Sequence, residues 1–369
     1  MKIILGLICL IGLSFANDIK EIREKTEGVL DNIIVENNSL VILGYKKHGK
    51  IYDMYLEKSD LKGKKIWSKT YNTKNAKDDT YSRYLFSNDK TYTLFGTNYN
   101  SKNRNWMLIV DKNGKKLKER FITMETYFGK DAPLLKGAIQ TSDGGYLLSL
   151  YYYPKTMALL KLDQNGKNEW EKIFNFDRET RFRSIIEYKS NFLIFRHTYM
   201  ENSFNVDSTL VSISKKGDII SETPIGVSSI VEKAIKTSDG NIMFLDYSPF
   251  LKTLVVKITP KGRMLGEILL NGKLETIKET KDKGFILVGA ERRLADKPST
   301  DHWKNAVITK INKKGRILWE KVIGYDALRS LYDVVELKNK YIAVGTAKFV
   351  PGIKKGEEYL YKVDINKSK

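Results

Sequence analysis

A pattern of four short apolar segments separated by polar turns returns seven times along this chain. The clearest copy has its apolar segments at 137–141, 146–150, 158–163 and 168–173. A repeat of roughly 50 residues built from four short strands is typical of a β-propeller and not of a helical solenoid. No segment shows a helical period, so the sequence predicts an all-β fold.

The turn between the third and fourth segments of each repeat carries a glycine. These glycines are Gly63, Gly114, Gly166, Gly217, Gly262 and Gly315. Asp60, Asp111, Asp163 and Asn312 stand three residues before four of them, as expected of hairpin turns in which Asx stabilises the turn and glycine takes a positive φ. We therefore expect a seven-bladed β-propeller of four-stranded antiparallel blades.

The seventh repeat has three segments, at 331–337, 341–346 and 359–364, and no fourth. An unassigned segment, 19–25, precedes the first complete repeat. We expect residues 17–26 to pair as the outer strand of the seventh blade, because closure of the ring removes an exposed sheet edge.

The first sixteen residues resemble a secretion signal. Lys2 is followed by an apolar stretch, 3–13, and by Ser14-Phe15-Ala16, a small-x-small cleavage pattern. We expect cleavage near Ala16, a single propeller domain over 17–369, and an exported, periplasmic or extracellular monomer. Lipidation of Cys9 is less favoured, since Ile8 stands where a small residue is needed.

Charge and cysteine content restrict the chemistry. The sequence has 64 Lys and Arg against 44 Asp and Glu, a net charge of +20, and its one cysteine lies in the signal segment. The predicted mature chain therefore excludes disulfides, thiolate metal ligands and a cysteine nucleophile. Such a charge favours anionic partners, although a solvated lysine-rich surface would give the same composition.

Three repeats carry Asp/Asn-x-x-Gly-x-x-x-Trp, ending at Trp67, Trp170 and Trp319. This pattern resembles the tryptophan-docking repeat of pyrroloquinoline-quinone-type propellers, a group of dehydrogenases and an outer-membrane assembly scaffold. The Asp-Gly-Gly-Tyr text at 143–146 is similar to repeats of uncharacterised exported bacterial propellers. Seven repeats and no adjacent cysteines depart from the dehydrogenase pattern, so no cofactor is expected.

Alignment of the first strands on their turns places a basic residue near the start of several repeats. These residues are Arg83, Lys136, Arg183 and Lys233, with Arg329 less securely aligned. First strands line the axial channel of a propeller, so the alignment predicts a positive channel mouth that attracts an anionic group. The alternative is pairing with local acids such as Asp79 or Glu187.

The second-to-third loops and the links between repeats are long and irregular, at 98–105, 125–133, 197–207, 291–303 and 349–358. Binding sites are commonly built on such loops. In the longest, Arg292 and Arg293 are candidates to hold a carboxylate or phosphate and Trp303 to stack on a ring. The alternative is a solvated loop.

Enzymatic constellations are sparse. The three histidines, His48, His197 and His302, lack the spacing of zinc ligands, so no metal site is expected. Asp246 stands at a strand end where other repeats have glycine, and is the candidate carboxylate of a glycan-directed enzyme, although a buried structural aspartate is the favoured interpretation.

The sequence thus favours a non-catalytic disc that binds an envelope protein or an anionic glycan or lipid headgroup through its irregular loops. A polysaccharide hydrolase or lyase is the alternative. Nucleic acid is disfavoured, because an exported chain seldom meets it and no recognised binding motif is present.

Overall fold

The computed structural model describes residues 19–73, 79–98, 105–124, 133–152, 155–200, 206–226, 230–248, 252–292, 304–324, 327–349 and 358–367. The predicted signal segment, 1–16, lies outside them and stays a prediction. The described residues form 28 strands in seven four-stranded antiparallel sheets. The seven-bladed propeller is therefore confirmed. No helix in the described part of the chain is long and apolar enough to cross a membrane.

The strands, numbered in chain order, fall into four sets by position in the blade. The first strands are β2 (Gly28–Glu36), β6 (Thr80–Ser87), β10 (Leu134–Gln140), β14 (Thr180–Tyr188), β18 (Ile230–Lys236), β22 (Lys273–Glu279) and β26 (Ala327–Glu336). The second are β3 (Ser39–His48), β7 (Thr91–Asn98), β11 (Tyr146–Tyr152), β15 (Asn191–Tyr199), β19 (Ile242–Ser248), β23 (Phe285–Arg292) and β27 (Lys340–Phe349). The third are β4 (Ile51–Asp60), β8 (Asn105–Asp111), β12 (Thr156–Leu162), β16 (Val206–Ser214), β20 (Lys252–Ile258), β24 (Lys304–Ile311) and β28 (Glu358–Asn366). The fourth are β5 (Lys65–Tyr71), β9 (Lys116–Phe121), β13 (Asn168–Asn175), β17 (Ile219–Pro224), β21 (Met264–Asn271), β25 (Ile317–Ile323) and β1 (Ile19–Lys25).

The ring closes through the first described strand. β1 pairs antiparallel with β28 from Ile19 opposite Ile365 to Lys25 opposite Tyr359. The seventh blade is thus assembled from both ends of the described chain, and the predicted closing strand is confirmed.

This topology gives the disc two different faces. The loop face carries the second-to-third loops and the links between blades. The turn face carries the first-to-second turns, such as that between β2 and β3, and the third-to-fourth turns, such as that between β4 and β5. Since first strands lie against one another around the axis, their side chains decide what lines the channel.

The second and third strands are buried on both sides, which explains their near-continuous apolar sequence. Apolar clusters join successive blades, and Tyr146 of the third blade donates a hydrogen bond to Thr93 of the second at 2.8 Å. A fully buried Leu or Phe contributes about 2 kcal/mol relative to an exposed one, so the interblade packing dominates the stability of the ring.

The repeated tryptophans pack between blades. Trp67 of the first blade lies under Gly114 of the second, where an added Cβ would be 2.9 Å from the indole and φ is +79°. Trp170 contacts Gly217 in the same way. The Asp/Asn-x-x-Gly-x-x-x-Trp pattern therefore has a structural role, because its tryptophan packs against the turn of the next blade at Gly114 and Gly217.

The Asp-Gly-Gly-Tyr text also has a structural role. Asp143 accepts hydrogen bonds from Thr141 Oγ1 at 2.5 Å and from the Gly145 amide at 2.9 Å, and its other oxygen lies 3.0 Å from Lys161 Nζ. Burial alone would raise the pKa of Asp143, but these donors hold it at about 2. The fifth and sixth blades repeat the arrangement at Asp239 and Asp282.

Candidate functional site at the channel mouth

Each first strand carries a β-bulge near its loop-face end. The ladder skips one or two residues between Leu30 and Asn32 and at the equivalent place in the other six blades. A bulge leaves a residue unpaired and re-aims its side chain. We call the seven bulge residues the mouth ring: Asp31, Arg83, Lys136, Arg183, Glu232, Glu275 and Tyr332.

Residues beside the bulge join four pairs of adjacent blades. These contacts run from Asn32 Nδ2 to Arg83 O (3.3 Å), from the Tyr84 hydroxyl to Lys136 O (2.9 Å), from the Ala234 amide to Ser184 Oγ (2.9 Å) and from the Ile33 amide to Asp333 Oδ2 (3.0 Å). At these junctions, hydrogen bonds between side chains and backbone hold the strands that carry the mouth ring.

One arc of the ring is basic. Arg83, Lys136 and Arg183 come from three successive blades, and Arg183 Nη1 donates to Glu232 Oε2 at 3.0 Å. Lys136 forms no ion pair with another described residue, and its ammonium lies 5.9 Å from the Tyr151 ring centroid. Burial, together with repulsion from Arg183, Arg181 and Arg83, lowers the pKa of Lys136 to about 8. Lys136 is therefore a cation of the basic arc that no described carboxylate contacts.

The opposite arc is acidic and aromatic. Asp31 accepts a hydrogen bond from Ser82 Oγ, and removal from bulk water raises the pKa of its carboxyl to about 7 against the attraction of Arg83. Glu275 lies 2.8 Å from Lys273 Nζ. Burial and the charges of Glu275 and Asp31 raise the pKa of Tyr332 to about 12. The mouth is therefore polar across its diameter and not uniformly positive.

A tyrosine-lined cleft opens on the loop face beside the acidic arc. Tyr45 meets Tyr81 and Tyr52 edge to face, with ring centroids 4.8 and 5.6 Å apart, and Tyr332 also lines the cleft. The cavity measures about 390 Å³. Burial and the charge of Asp31, a mouth-ring residue, raise the pKa of the Tyr45 hydroxyl. The cleft therefore lies beside the mouth ring.

The structure places the predicted channel residues at two levels. Arg83, Lys136 and Arg183 are bulge residues, whereas Lys233 lies one position beyond the bulge, which Glu232 occupies. The Lys233 side chain is exposed to solvent, and partial desolvation by the surrounding protein lowers its pKa, an effect that Asp333 opposes and Lys278 increases. The alignment on turns was therefore one residue out in the fifth blade.

Arg329, the less securely aligned channel candidate, is only 1% exposed and lies 3.5 Å from Glu21 of β1, away from the mouth ring. The two acids named as alternative partners have other contacts. Asp79 accepts hydrogen bonds from the Tyr52 amide and the Tyr81 hydroxyl, and Glu187 accepts them from Ser142 on the turn face.

The loop candidates and the candidate carboxylate do not join this site. Arg292 ends β23 opposite Lys304, while Arg293 and Trp303 lie outside the described residues. Asp246 is 1% exposed within β19, between Val231 and Leu254 of the neighbouring strands. No group of three or more potential metal ligands converges among the residues that the structure describes.

A buried Ser–His contact was missed from the sequence. His197 Nδ1 lies 2.8 Å from Ser208 Oγ across the pairing of β15 and β16. Burial and, to a smaller degree, Arg183 lower the pKa of His197 to about 3, and its side chain is 0% exposed. The imidazole is neutral and closed to substrate, which suits a structural role.

The acids of the mouth ring were also missed, although a signal existed. Leu30-Asp31-Asn32-Ile33, Val231-Glu232-Lys233-Ala234 and Leu274-Glu275-Thr276-Ile277 each break the alternation of a strand with two consecutive polar residues. Such a break is the sequence signature of a bulge.

Comparison with known proteins supports the fold alone. No family model matches the chain, and no curated protein matches it. The WD40 domain of Neurospora crassa Pan2 is similar in structure, with a TM-score of 0.53 and 10% identity over 91% of this chain and 89% of that one. KlAtg21, solved with the coiled coil of AgAtg16, gives 0.52 and 11% over 89% and 95%. A Bacteroides caccae protein of unknown function gives 0.48 and 12% over 80% and 94%. The chain thus shares its fold with the Pan2 WD40 domain and with KlAtg21.

Proposed function

We propose that this protein is an exported, non-catalytic propeller that holds an anionic group of an envelope partner at the mouth ring. The observation that carries the proposal is Lys136, a half-buried ammonium without an ion pair among the described residues, between Arg83 and Arg183 of the adjacent blades. A bound carboxylate or phosphate would relieve the repulsion that lowers the pKa of Lys136, and this relief favours binding.

The tyrosine cleft supports a ligand larger than a simple anion. Tyrosine rings present wide apolar faces and hydroxyls at low entropic cost, and are common in binding sites for proteins and sugars. A partner that places its anionic group at the basic arc can extend into the cleft. KlAtg21, a propeller of similar fold, is solved with a coiled coil, which shows a protein partner on such a scaffold.

A catalytic role has less support. Glycoside hydrolysis needs two carboxylates that flank a bond of the substrate. Asp246 is buried, Glu232 is held by Arg183, and Glu275 by Lys273. A binding function therefore accounts for the described carboxylates better than hydrolysis or lyase chemistry.

The test measures binding of two anionic probes, oligogalacturonate and a polyglutamate peptide, by titration calorimetry. The mouth variant is Arg83→Gln/Lys136→Gln. The matched control is Lys90→Gln/Lys338→Gln, which makes the same charge change on the turn face, where both lysines are exposed. We expect at least a tenfold loss of affinity for one probe in the mouth variant and little change in the control.

Equal losses of affinity in both variants would show that the probes respond to the net charge of the protein, and would refute the mouth ring as the binding site. Turnover of the oligogalacturonate would refute the non-catalytic proposal directly. Export is tested separately, by N-terminal sequencing of the protein recovered from cells, with Asn17 as the expected first residue.

A further inference from the structure

Apolar side chains are exposed on the turn face in a repeating arrangement. Eleven large apolar residues in the described part of the chain are exposed, and eight of them follow a third-to-fourth turn glycine by two or three positions. They are Ile66, Leu117, Ile219, Ile220, Met264, Leu265, Ile317 and Leu318, with exposed fractions of 41–59%.

The same turns are strongly basic. In five blades the turn and the start of the outer strand form a seven-residue unit, at 60–66, 111–117, 214–220, 259–265 and 312–318. We call these units the turn-face corners. Together they contain thirteen Lys and Arg against three Asp, a net charge of +10 in a chain whose total is +20. Half of the formal net charge therefore lies beside the exposed apolar residues, and four of these cations, Lys65, Lys112, Lys116 and Lys215, pair with acids outside the units.

Two of the three acids within the corners are used by the turns themselves, and the third, Asp218, pairs with Lys172 at 2.8 Å. Asp60 Oδ1 accepts the amides of Lys62 and Lys64 at 2.9 Å, and Asp111 Oδ1 accepts those of Asn113 and Lys115. In contrast, Lys313, Lys314 and Arg316 are exposed and form no ion pair with another described residue. Their charges stay available to a partner.

The corners can meet a flat surface together. In each corner the glycine amide donates to the carbonyl of the first residue of the unit at 2.9–3.0 Å, and the glycine φ lies between +79° and +87°. Identical turns on blades related by rotation about the axis lie at one height. The corners therefore form a broken ring parallel to the disc.

We propose that the turn-face corners bind the surface of an anionic lipid bilayer. Lys and Arg attract the headgroups, while the adjacent aliphatic side chains enter the boundary between headgroups and acyl chains. Nucleic acid fits less well, because single strands are held by aromatic stacking and the exposed residues here are aliphatic. This face is opposite the mouth ring, so the inference does not rest on the proposed function and leaves the loop face directed away from the membrane.

The test is co-sedimentation of the full chain with vesicles of phosphatidylcholine alone or with 30% phosphatidylglycerol. Three variants are compared: Lys313→Gln/Lys314→Gln/Arg316→Gln, Ile317→Ser/Leu318→Ser, and a loop-face control, Lys50→Gln/Lys155→Gln/Lys252→Gln. The control changes three exposed lysines at second-to-third loops, so its net charge equals that of the first variant. All the changed side chains are exposed to solvent, and a melting curve checks that each variant folds.

We expect binding to the anionic vesicles only, reduced at least tenfold in the corner charge variant and unchanged in the control. The aliphatic variant should bind at low salt but be released by 0.5 M NaCl, because insertion is insensitive to screening and charge attraction is not. The proposal would be overturned if the corner and control variants lost binding equally, or if the protein did not bind anionic vesicles. It would also be overturned if the protein bound a DNA oligonucleotide more tightly than the vesicles and the aliphatic variant kept that binding.

Discussion

Arg183 Nη1 donates a hydrogen bond to Glu232 Oε2 at 3.0 Å, from one bulge residue of the mouth ring to the next. Both side chains are partly exposed. Glu232 also supports the charged form of Lys136 by opposing the repulsion from the arginines. One carboxylate thus limits the positive potential of the basic arc.

The first prediction follows from this carboxylate. Glu232→Gln keeps the shape of the side chain but removes the charge, so the pKa of Lys136 should fall below about 8. At low salt and below that pKa, the affinity for the anionic probes should rise severalfold. The pKa is measured by NMR of the lysine Cε and the affinity by calorimetry. Glu187→Gln, which makes the same charge change on the turn face, should alter neither the pKa of Lys136 nor the affinity. An unaltered pKa of Lys136 in Glu232→Gln would contradict the electrostatic coupling between Glu232 and Lys136.

The fold could be predicted from the sequence because its signals are local. Turn glycines and buried strands recur in order, and residues 19–25 were the one segment left to complete the seventh blade. The mouth ring could be predicted only in part. Arg83, Lys136 and Arg183 align on their turns, but in the fifth blade the ladder skips Glu232 between Val231 and Lys233, so alignment on the turn selects Lys233 instead.

The tyrosine cleft could not be predicted at all. Tyr45, Tyr81 and Tyr332 come from three blades and meet only after the ring closes. Their apolar neighbours in sequence are those of ordinary strands. A site whose residues are distant in the chain leaves no periodic pattern in the sequence, even when the scaffold that carries it does leave one.

Ring closure gives the second prediction. Deletion of residues 17–26 removes β1, with its seven paired positions, and exposes the edge of β28. At roughly 1 kcal/mol per hydrogen bond, the free energy of unfolding should fall by on the order of 5 kcal/mol. Urea unfolding followed by tryptophan fluorescence measures the loss. A chain lacking only residues 1–16 is the control, and a deletion variant as stable as this control would show that β1 does not stabilise the closed ring.

A buried ion pair gives the third prediction. Glu57 is 0% exposed, pairs with Lys362 of the seventh blade and accepts a hydrogen bond from the Tyr55 hydroxyl at 2.8 Å. Lys362→Met leaves the carboxylate buried without its cation, and should cost about 3 kcal/mol of unfolding free energy. Glu57→Gln/Lys362→Met should recover most of that loss, since no charge is then left unpaired. Additive losses in the double variant would contradict a direct interaction between the two residues.

Asp31 gives the last prediction, on pH. Its pKa is raised to about 7 from an ordinary value of 3.8, so the folded state keeps the proton that the unfolded state releases. The stabilisation that this proton provides is complete below about pH 4 and is lost as the pH rises through 7. Asp31→Asn, which is always neutral and can still accept from Ser82, should melt close to the wild type at pH 4 and at increasingly higher temperature than the wild type up to pH 8. A constant difference in melting temperature across this range would show that Asp31 is ionised throughout.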